Sequence, residues 1–314
     1  MAAVKARVAF FGSPEFAVPS LRALVGAGFE VALVVTQPDR PAGRGGRVTP
    51  PPVKRVALEL GLRVEQPVSV RSAAFGELLA GFGLEAGVVA AYGRILPERV
   101  LEVTRRGFVN VHASLLPRWR GASPVAAAIL AGDTMTGVSI MEMVLRMDAG
   151  PVISQVVEPI RPDDTTGSLE ARLAELGARE LVRVLPGWLE GTVGATPQDE
   201  SRATTCGLLR KGDGFLRASM TAAEAERAMR AYDPWPGAFV LYRGVPLRCW
   251  RGRVVEGPAA AAGSMVLVGD EPAVRFADGW VALVEVQRPG GRRMLGRAFV
   301  AGERGRLEPV VGLG

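Results

Sequence analysis

The first 190 residues alternate short apolar runs with stretches of helical periodicity, and this alternation constrains the fold more than any other feature. The apolar runs have the length and the β-branched content of buried strands. They lie at residues 7–11, 31–36, 63–65, 87–92, 108–112, 138–144 and 152–157. Strands that alternate with helices are typical of a parallel, doubly wound sheet. The sequence therefore predicts an α/β fold with a doubly wound, Rossmann-like domain over residues 1–190.

The pattern changes after Gly191. Residues 191–207 are polar and rich in turn formers, so we interpret them as a linker. Residues 221–231 have the spacing of an amphipathic helix, and short alternating runs between Gly- and Pro-rich turns follow. Many short strands in one domain are typical of a small β-barrel. We therefore predict an OB-like β-barrel over residues 208–314. Residues 38–52 show no periodicity and are predicted to form an exposed loop.

The excess positive charge is concentrated in the last third of the chain. Residues 206–314 contain 16 of the 38 Lys and Arg residues and 11 of the 32 Asp and Glu residues, so +5 of the formal net charge of +6 lies there. This asymmetry favours a polyanionic partner. The alternative is a general use of arginine at solvated surface positions, which the scarcity of lysine favours.

Composition also excludes several classes of protein. Two distant cysteines and one histidine argue against a disulfide framework and against a metal site. No apolar run has the length of a membrane span, and no secretion signal is evident, so we expect a cytoplasmic protein. The first strand is followed by Gly12-Ser-Pro-Glu rather than Gly-x-Gly-x-x-Gly, which argues against a Rossmann dehydrogenase.

Three side chains form the strongest candidate for chemistry. Asn110 and His112 are two residues apart on a predicted strand, so both point to the same face. They lie at its carboxyl end, where open α/β sheets bind ligands. Asp148 stands in a Gly/Pro turn after another predicted strand. An amide donor, a titratable ring and a carboxylate could meet there, although such residues are individually more often structural.

The segments around these residues resemble the signature of the folate-dependent formyltransferase family. Residues 107–121 read GFVNVHASLLPRWRG, and residues 136–150 run from TGVSIMEM to Asp-Ala-Gly. Three further segments are similar to the methionyl-tRNA formyltransferases within that family: residues 36–45, 91–97 and 232–237. The resemblance covers essentially the whole chain. It implies transfer of a formyl group from 10-formyl-tetrahydrofolate to the amino group of methionyl initiator tRNA.

The resemblance also implies a role for each matched residue. Asn110 would bind the formyl oxygen, His112 would take part in proton transfer, and Asp148 would hold His112. The residues implied in folate binding are Ser114, Leu115, Leu116, Pro117, Ala90, Tyr92 and Ile95. The pterin is expected to lie against backbone of the 90–95 segment. No metal is implied.

The same resemblance implies that Arg44 reaches the acceptor end of the tRNA, with Arg40 and Arg47 as additional phosphate contacts. In the basic C-terminal domain the candidate tRNA contacts are Arg248, Arg251, Arg253, Arg292, Arg293 and Arg297. The family is generally monomeric, and we expect a monomer.

Three alternatives stay open on the sequence. A sugar-nucleotide formyltransferase or a formyl-folate hydrolase would share Asn110, His112 and Asp148. A binding protein for folate or RNA on the same scaffold is the third alternative. The arginine-rich loop and the basic C-terminal third favour a tRNA acceptor.

Overall fold

The computed structural model describes residues 6–42 and 47–311. The chain forms two compact units. The first combines the chain up to Pro124 with Met135–Pro159 and Glu170–Gly207. The second combines Val125–Thr134 and Ile160–Leu169 with the chain from Leu208 onward. The domain boundaries that the sequence suggests, at residues 190 and 207, stay a prediction.

The first unit contains a mixed sheet and its covering helices. Its strands are β1 (Arg7–Gly12), β2 (Glu30–Val35), β3 (Arg40–Ala42), β4 (Arg47–Thr49), β5 (Val64–Glu65), β6 (Ala86–Ala90), β7 (Phe108–His112), β8 (Arg120–Gly121), β9 (Met135–Glu142), β10 (Val152–Pro159) and β11 (Thr205–Cys206). Its helices are α1 (Val18–Gly26), α2 (Pro52–Glu59), α3 (Ala73–Ala80) and α4 (Glu98–Leu101). Two helices are shared with the second unit: α5 (Pro124–Ala131) and α6 (Thr166–Glu190).

The main sheet has the strand order β10-β9-β7-β6-β1-β2-β5. Strands β5, β2, β1, β6 and β7 are parallel, which confirms the doubly wound, Rossmann-like prediction. The expectation of a wholly parallel sheet is wrong at one edge, because β9 is antiparallel to β7 and β10 is antiparallel to β9. A parallel connection needs a crossover of about a dozen residues or more. The segment between Glu142 and Val152 is shorter than that, so β10 returns alongside β9.

The core beside the parallel strands contains a group of packed aromatic rings. Phe11 on β1 meets Tyr92 and Phe108 edge-on, with ring centroids 5.4 Å away in each case. Such pairs contribute about 0.5–1.5 kcal/mol beyond the burial of their area. These rings pack the start of β7 against β1, while β6 lies between the two strands and pairs with both.

The prediction of an exposed loop over residues 38–52 is wrong in part. Strands β3 and β4 form an antiparallel pair in which Arg40 is opposite Thr49 and Pro41 is opposite Val48. Strands of three residues are too short to show a period in the sequence, because an alternation needs about four residues to be recognised. Residues 43–46, which include Arg44, lie outside the described residues.

The second unit is a curled antiparallel sheet, which confirms the OB-like barrel. Its strands are β12 (Phe239–Tyr242), β13 (Val245–Val255), β14 (Met265–Val268), β15 (Glu271–Arg275), β16 (Trp280–Gln287), β17 (Arg293–Leu295) and β18 (Val310–Val311). The order is β14-β15-β16-β13-β12-β18, with β17 beside β16. Register shifts in β13 around Arg251 bend the sheet. Val310 N donates to Gly263 O at 2.8 Å, so the chain before β14 approaches the last strand.

Helix α7 (Ala222–Ala231) confirms the helix predicted at residues 221–231, and α8 (Gly296–Gly302) follows β17. Thr221 and Glu224 form a capping box that satisfies the first amides of α7. Cys206 and Cys249 are both free thiols. Across the described ranges, no helix has the length and apolarity to cross a membrane. The same ranges contain no group of three or more His, Cys, Asp or Glu residues that could hold a metal ion.

Candidate active site

Strand β7 presents two of the candidate side chains. It lies between β6 and β9, and His112 is paired with Ser139 of β9. Asn110 is partly buried and His112 is 5% exposed. Because the residues are two apart on one strand, their side chains share a face, as the sequence predicts.

The third side chain enters from the turn between β9 and β10. Asp148 has a φ of +49°, which places it in the left-handed region that non-glycine residues rarely adopt. A Cβ at Gly150 would collide with the carbonyl oxygen of Glu142, so only glycine fits there. Asp148 Oδ2 accepts a 2.8 Å bond from Gly121 N, and Asn110 Nδ2 lies 3.5 Å from Asp148 Oδ1. The structure therefore brings Asn110 and Asp148 together.

His112 lies between a carboxylate and a carbonyl. Its Nδ1 is 3.8 Å from Asp148 Oδ2, which is longer than a hydrogen bond and becomes an ion pair only when the ring is protonated. Its Nε2 is 3.0 Å from Trp119 O. A carbonyl oxygen can only accept, so this bond requires the hydrogen on Nε2. In the neutral ring the lone pair then belongs to Nδ1, and a proton taken up there faces Asp148.

The turn at residues 114–117 is held by buried hydrogen bonds. Ser114 is fully buried, and its Oγ donates to Arg118 O at 2.6 Å. Leu116 is 5% exposed, and its amide donates to Ser139 Oγ at 3.0 Å. Gln155 Nε2 donates to Leu116 O at 2.8 Å. Leu115 and Pro117 are half-buried. These contacts give the turn a defined backbone at the carboxyl end of β7.

The second predicted folate segment follows β6. Ala90 is fully buried, and Ala91 has a φ of +45° that turns the chain. The ring of Tyr92 packs into the aromatic core, where burial raises its pKa to about 12. Its carbonyl accepts a 2.9 Å bond from Gln37 Nε2. Tyr92 can therefore contact a ligand only through its backbone, whereas the side chain of Ile95 is 58% exposed.

Comparison with known proteins identifies the family of this chain. Residues 6–185 match the formyl transferase family, and residues 208–304 match the formyl transferase C-terminal domain. A methionyl-tRNA formyltransferase of Chloroflexus aggregans is 46% identical over 94% of this chain and 97% of its own length. One from Aromatoleum aromaticum is 45% identical over 96% of each chain. The chain belongs to the methionyl-tRNA formyltransferase family.

Solved structures agree with this family in fold. An N-formyltransferase from Helicobacter canadensis, in complex with folinic acid and dTDP-3-aminofucose, superposes with a TM-score of 0.67 at 15% identity. That likeness covers 88% of this chain and 98% of the other. HypX from Aquifex aeolicus in complex with tetrahydrofolic acid gives 0.64 at 17% identity over 95% of this chain, which spans 47% of HypX. At these identities the likeness shows the fold alone.

The loop that this family resemblance assigns to tRNA is anchored at its base. Arg40 is exposed at the start of β3, and Arg47 begins β4. Lys54 Nζ binds Asp39 Oδ2 at 2.8 Å and Gln66 Oε1 at 2.7 Å. The bonds from Lys54 and Gln66 hold the pKa of Asp39 below its ordinary value. The residue just before β3, Asp39, is therefore held by hydrogen bonds from Lys54 and Gln66.

The candidate arginines of the barrel differ in whether they form ion pairs and hydrogen bonds within the protein. Arg293 stacks on the ring of Trp250, with Cζ 3.7 Å from the centroid, and pairs with Asp233 at 2.9 Å. Arg248 Nη1 donates to Pro236 O at 2.6 Å. Two further candidates have acidic partners: Arg253 with Glu271 and Arg297 with Asp270. Arg251 and Arg292 are exposed and form no ion pair within the described part of the chain.

Sequence reasoning missed three groups at the site. Two are backbone atoms, Trp119 O beside His112 and Gly121 N beside Asp148, which carry no side-chain signature. The third is Gln198, whose Nε2 donates to Asp148 O at 2.8 Å and to Gly150 O at 2.7 Å. It lies in the segment that we interpreted as a linker, where polar composition is expected in any case.

Proposed function

We propose that this chain transfers the formyl group of 10-formyl-tetrahydrofolate to the α-amino group of methionyl initiator tRNA. The products are N-formylmethionyl-tRNA, which serves translation initiation, and tetrahydrofolate. The observation that carries the proposal is the near full-length identity, about 46%, to proteins named methionyl-tRNA formyltransferase. The meeting of Asn110, His112 and Asp148 at one end of β7 supports it.

The reaction begins with attack of the neutral amine on the formyl carbon. A new C–N bond forms, and the carbonyl oxygen becomes an oxyanion that needs a hydrogen-bond donor. Asn110 Nδ2 is suited to this role, because its 3.5 Å contact with Asp148 is weak enough to be exchanged for a stronger acceptor. No covalent intermediate on the protein is required, since the amine itself is the nucleophile.

Collapse of the intermediate requires a proton to move from the incoming nitrogen to the leaving nitrogen of the folate. His112 is the titratable ring of the trio, and Nδ1 is the ring atom that holds the lone pair when Trp119 O binds Nε2. A proton held at Nδ1 is stabilised by the Asp148 carboxylate, and its delivery to the folate nitrogen accompanies cleavage of the old C–N bond.

The donor and the acceptor are assigned to different segments. We assign folate to the 114–117 turn and to the backbone of residues 90–95. The polyanionic tRNA is assigned to Arg40, Arg44 and Arg47 and to the basic C-terminal unit. In that unit Arg251 and Arg292 are exposed and form no ion pair among the residues that the structure describes. We propose that the protein acts as a cytoplasmic monomer.

A parallel assay of acceptors tests the proposal. The protein is incubated with 10-formyl-tetrahydrofolate and, separately, methionyl initiator tRNA, methionyl elongator tRNA, an amino-sugar nucleotide, or no acceptor. We expect strong preference for the initiator tRNA. Transfer to the amino sugar, or release of formate without any acceptor, would contradict the assignment of the acceptor.

A further inference from the structure

The backbone of the turn that carries Asp148 accepts two hydrogen bonds from the side chain of Gln198. Gln198 Nε2 donates to Asp148 O at 2.8 Å and to Gly150 O at 2.7 Å. These are the residues on either side of Ala149. A φ of +49° at Asp148 is one that a non-glycine residue rarely keeps unless its surroundings hold it. The two hydrogen bonds from Gln198 hold the carbonyls of Asp148 and Gly150 in this conformation.

Arg120 determines which end of the Gln198 amide faces the turn. It is 4% exposed, and its Nε and Nη2 donate to Gln198 Oε1 at 3.0 and 2.8 Å. An amide whose oxygen accepts both bonds must present its NH2 group on the opposite side. The buried guanidinium thereby directs both donors of Gln198 to the carbonyls of Asp148 and Gly150.

Glu200 holds Arg120 in turn. Arg120 Nη1 and Nη2 donate to the two carboxylate oxygens at 3.1 and 2.9 Å, which is the strong bidentate arrangement. Arg146, two residues before Asp148, also binds Glu200. The bonds from Arg120 and then from Arg146 lower the pKa of Glu200 to about 2. Glu200 therefore keeps its charge, and Arg120 keeps an ionised partner, well below the ordinary pKa of a glutamate.

Residues 198–206, which include Gln198 and Glu200, also hold the backbone beside His112. Trp119 N donates to Thr204 Oγ1 at 2.9 Å, and Arg120 N donates to Thr204 O at 2.9 Å. Trp119 O is the partner of His112. A Cβ at Gly121 would collide with the carbonyl of Cys206, so β8 and β11 approach as closely as glycine permits. Residues 198–206 therefore support both the Asp148 turn and the carbonyl that binds His112.

We propose that Gln198, directed by Arg120 and Glu200, is a positioning residue for formyl transfer. It sets the place of the Asp148 carboxylate beside Asn110 and His112, and this inference rests on the proposed function. Gln198 and Glu200 lie between the two matched stretches of the formyl transferase family, which end at residue 185 and resume at residue 208.

The test measures kcat and KM for both substrates in the full-length protein. In Gln198→Ala we expect kcat to fall roughly 10- to 100-fold, as displacements of about 1 Å at a reacting centre do, with both KM values nearly unchanged. Gln198→Glu keeps the acceptor for Arg120 but places an oxygen opposite the two carbonyls, so its kcat should fall at least as far. Ser201→Ala is the matched control, because within the described residues the hydrogen bond of Ser201 Oγ goes to Asp199 and not to Gln198, Arg120 or the Asp148 turn.

A double-mutant cycle separates positioning from general destabilisation. If Gln198 acts through Asp148, then Gln198→Ala should cost about twofold or less in an Asp148→Asn background. An equal loss in both backgrounds, or normal kcat in both Gln198 variants, overturns the inference. The wild-type protein is assayed with every acceptor first, and the variants are measured with the acceptor that it uses. Failure of the tRNA assignment would then be seen in the wild type, whereas failure of the inference is seen only in the variants.

Discussion

Replacing Ser139 with alanine tests how the turn assigned to folate is held. Ser139 is 0% exposed on β9. Its Oγ donates to Ser114 O at 2.6 Å and accepts from Leu116 N at 3.0 Å and from Gln155 Nε2 at 2.9 Å. Gln155 retains its bond to Leu116 O in the variant. The carbonyl of Ser114 and the amide of Leu116 both lose the hydroxyl that binds them.

The size of the effect follows from those two groups. A buried donor or acceptor left without a partner costs about 1–3 kcal/mol. The Ser114 carbonyl and the Leu116 amide together should therefore weaken this turn by about 2 kcal/mol or more. Since 1.4 kcal/mol corresponds to about a factor of ten, the Leu116 amide should exchange with solvent deuterium roughly 30-fold faster.

Ser20 provides a matched control for this substitution. It is also 0% exposed in the first unit, but its Oγ has no hydrogen-bond partner among the described residues. Ser20→Ala should therefore be neutral or slightly stabilising. Urea unfolding and deuterium exchange are measured for both variants, together with affinity for the folate donor. The reasoning is refuted if Ser139→Ala is no more destabilising than Ser20→Ala and exchange at Leu116 is unchanged.

His112→Ala should lower the transfer rate of the folded protein by about 10²- to 10⁴-fold in single-turnover assays, with the unfolding midpoint measured alongside; near-normal turnover would refute the proton-transfer role. Asn110→Ala should cost about 10²-fold or more in kcat, and an unchanged kcat would exclude Asn110 as the oxyanion donor. Arg44→Ala should weaken use of tRNA and spare folate binding, which parallel titrations would show; unchanged tRNA use would remove Arg44 from the acceptor site. The depressed pKa of Asp39 beside Lys54 contributes stability above its ordinary value of 3.8, and this is lost as pH falls through the depressed pKa. In Asp39→Asn the free energy of unfolding should therefore fall less steeply as the pH is lowered below 3.8. An unchanged pH dependence would count against a stabilising Asp39–Lys54 interaction.

Local pattern predicted much of the fold because strand and helix periods are written in neighbouring residues. The run at residues 108–112 corresponds to β7, and the helix predicted at residues 221–231 corresponds to α7, Ala222–Ala231. Strand direction was harder, because an apolar run has the same period in a parallel and an antiparallel pair. The short β3–β4 pair was missed for a related reason, since three residues do not define a period.

Local sequence is enough to identify the two groups at the end of β7, because two residues on one strand must share a face whatever surrounds them. Asn110 and His112 needed no tertiary information. Asp148 is a candidate from its Gly/Pro turn after a predicted strand, but its approach to Asn110 depends on how the β9–β10 turn folds back. The contacts that Gly121 N, Trp119 O and Gln198 make with these side chains and their turn follow from the fold and not from local pattern. Backbone donors have no sequence signature, and contacts across about 50 residues arise from packing rather than from local pattern.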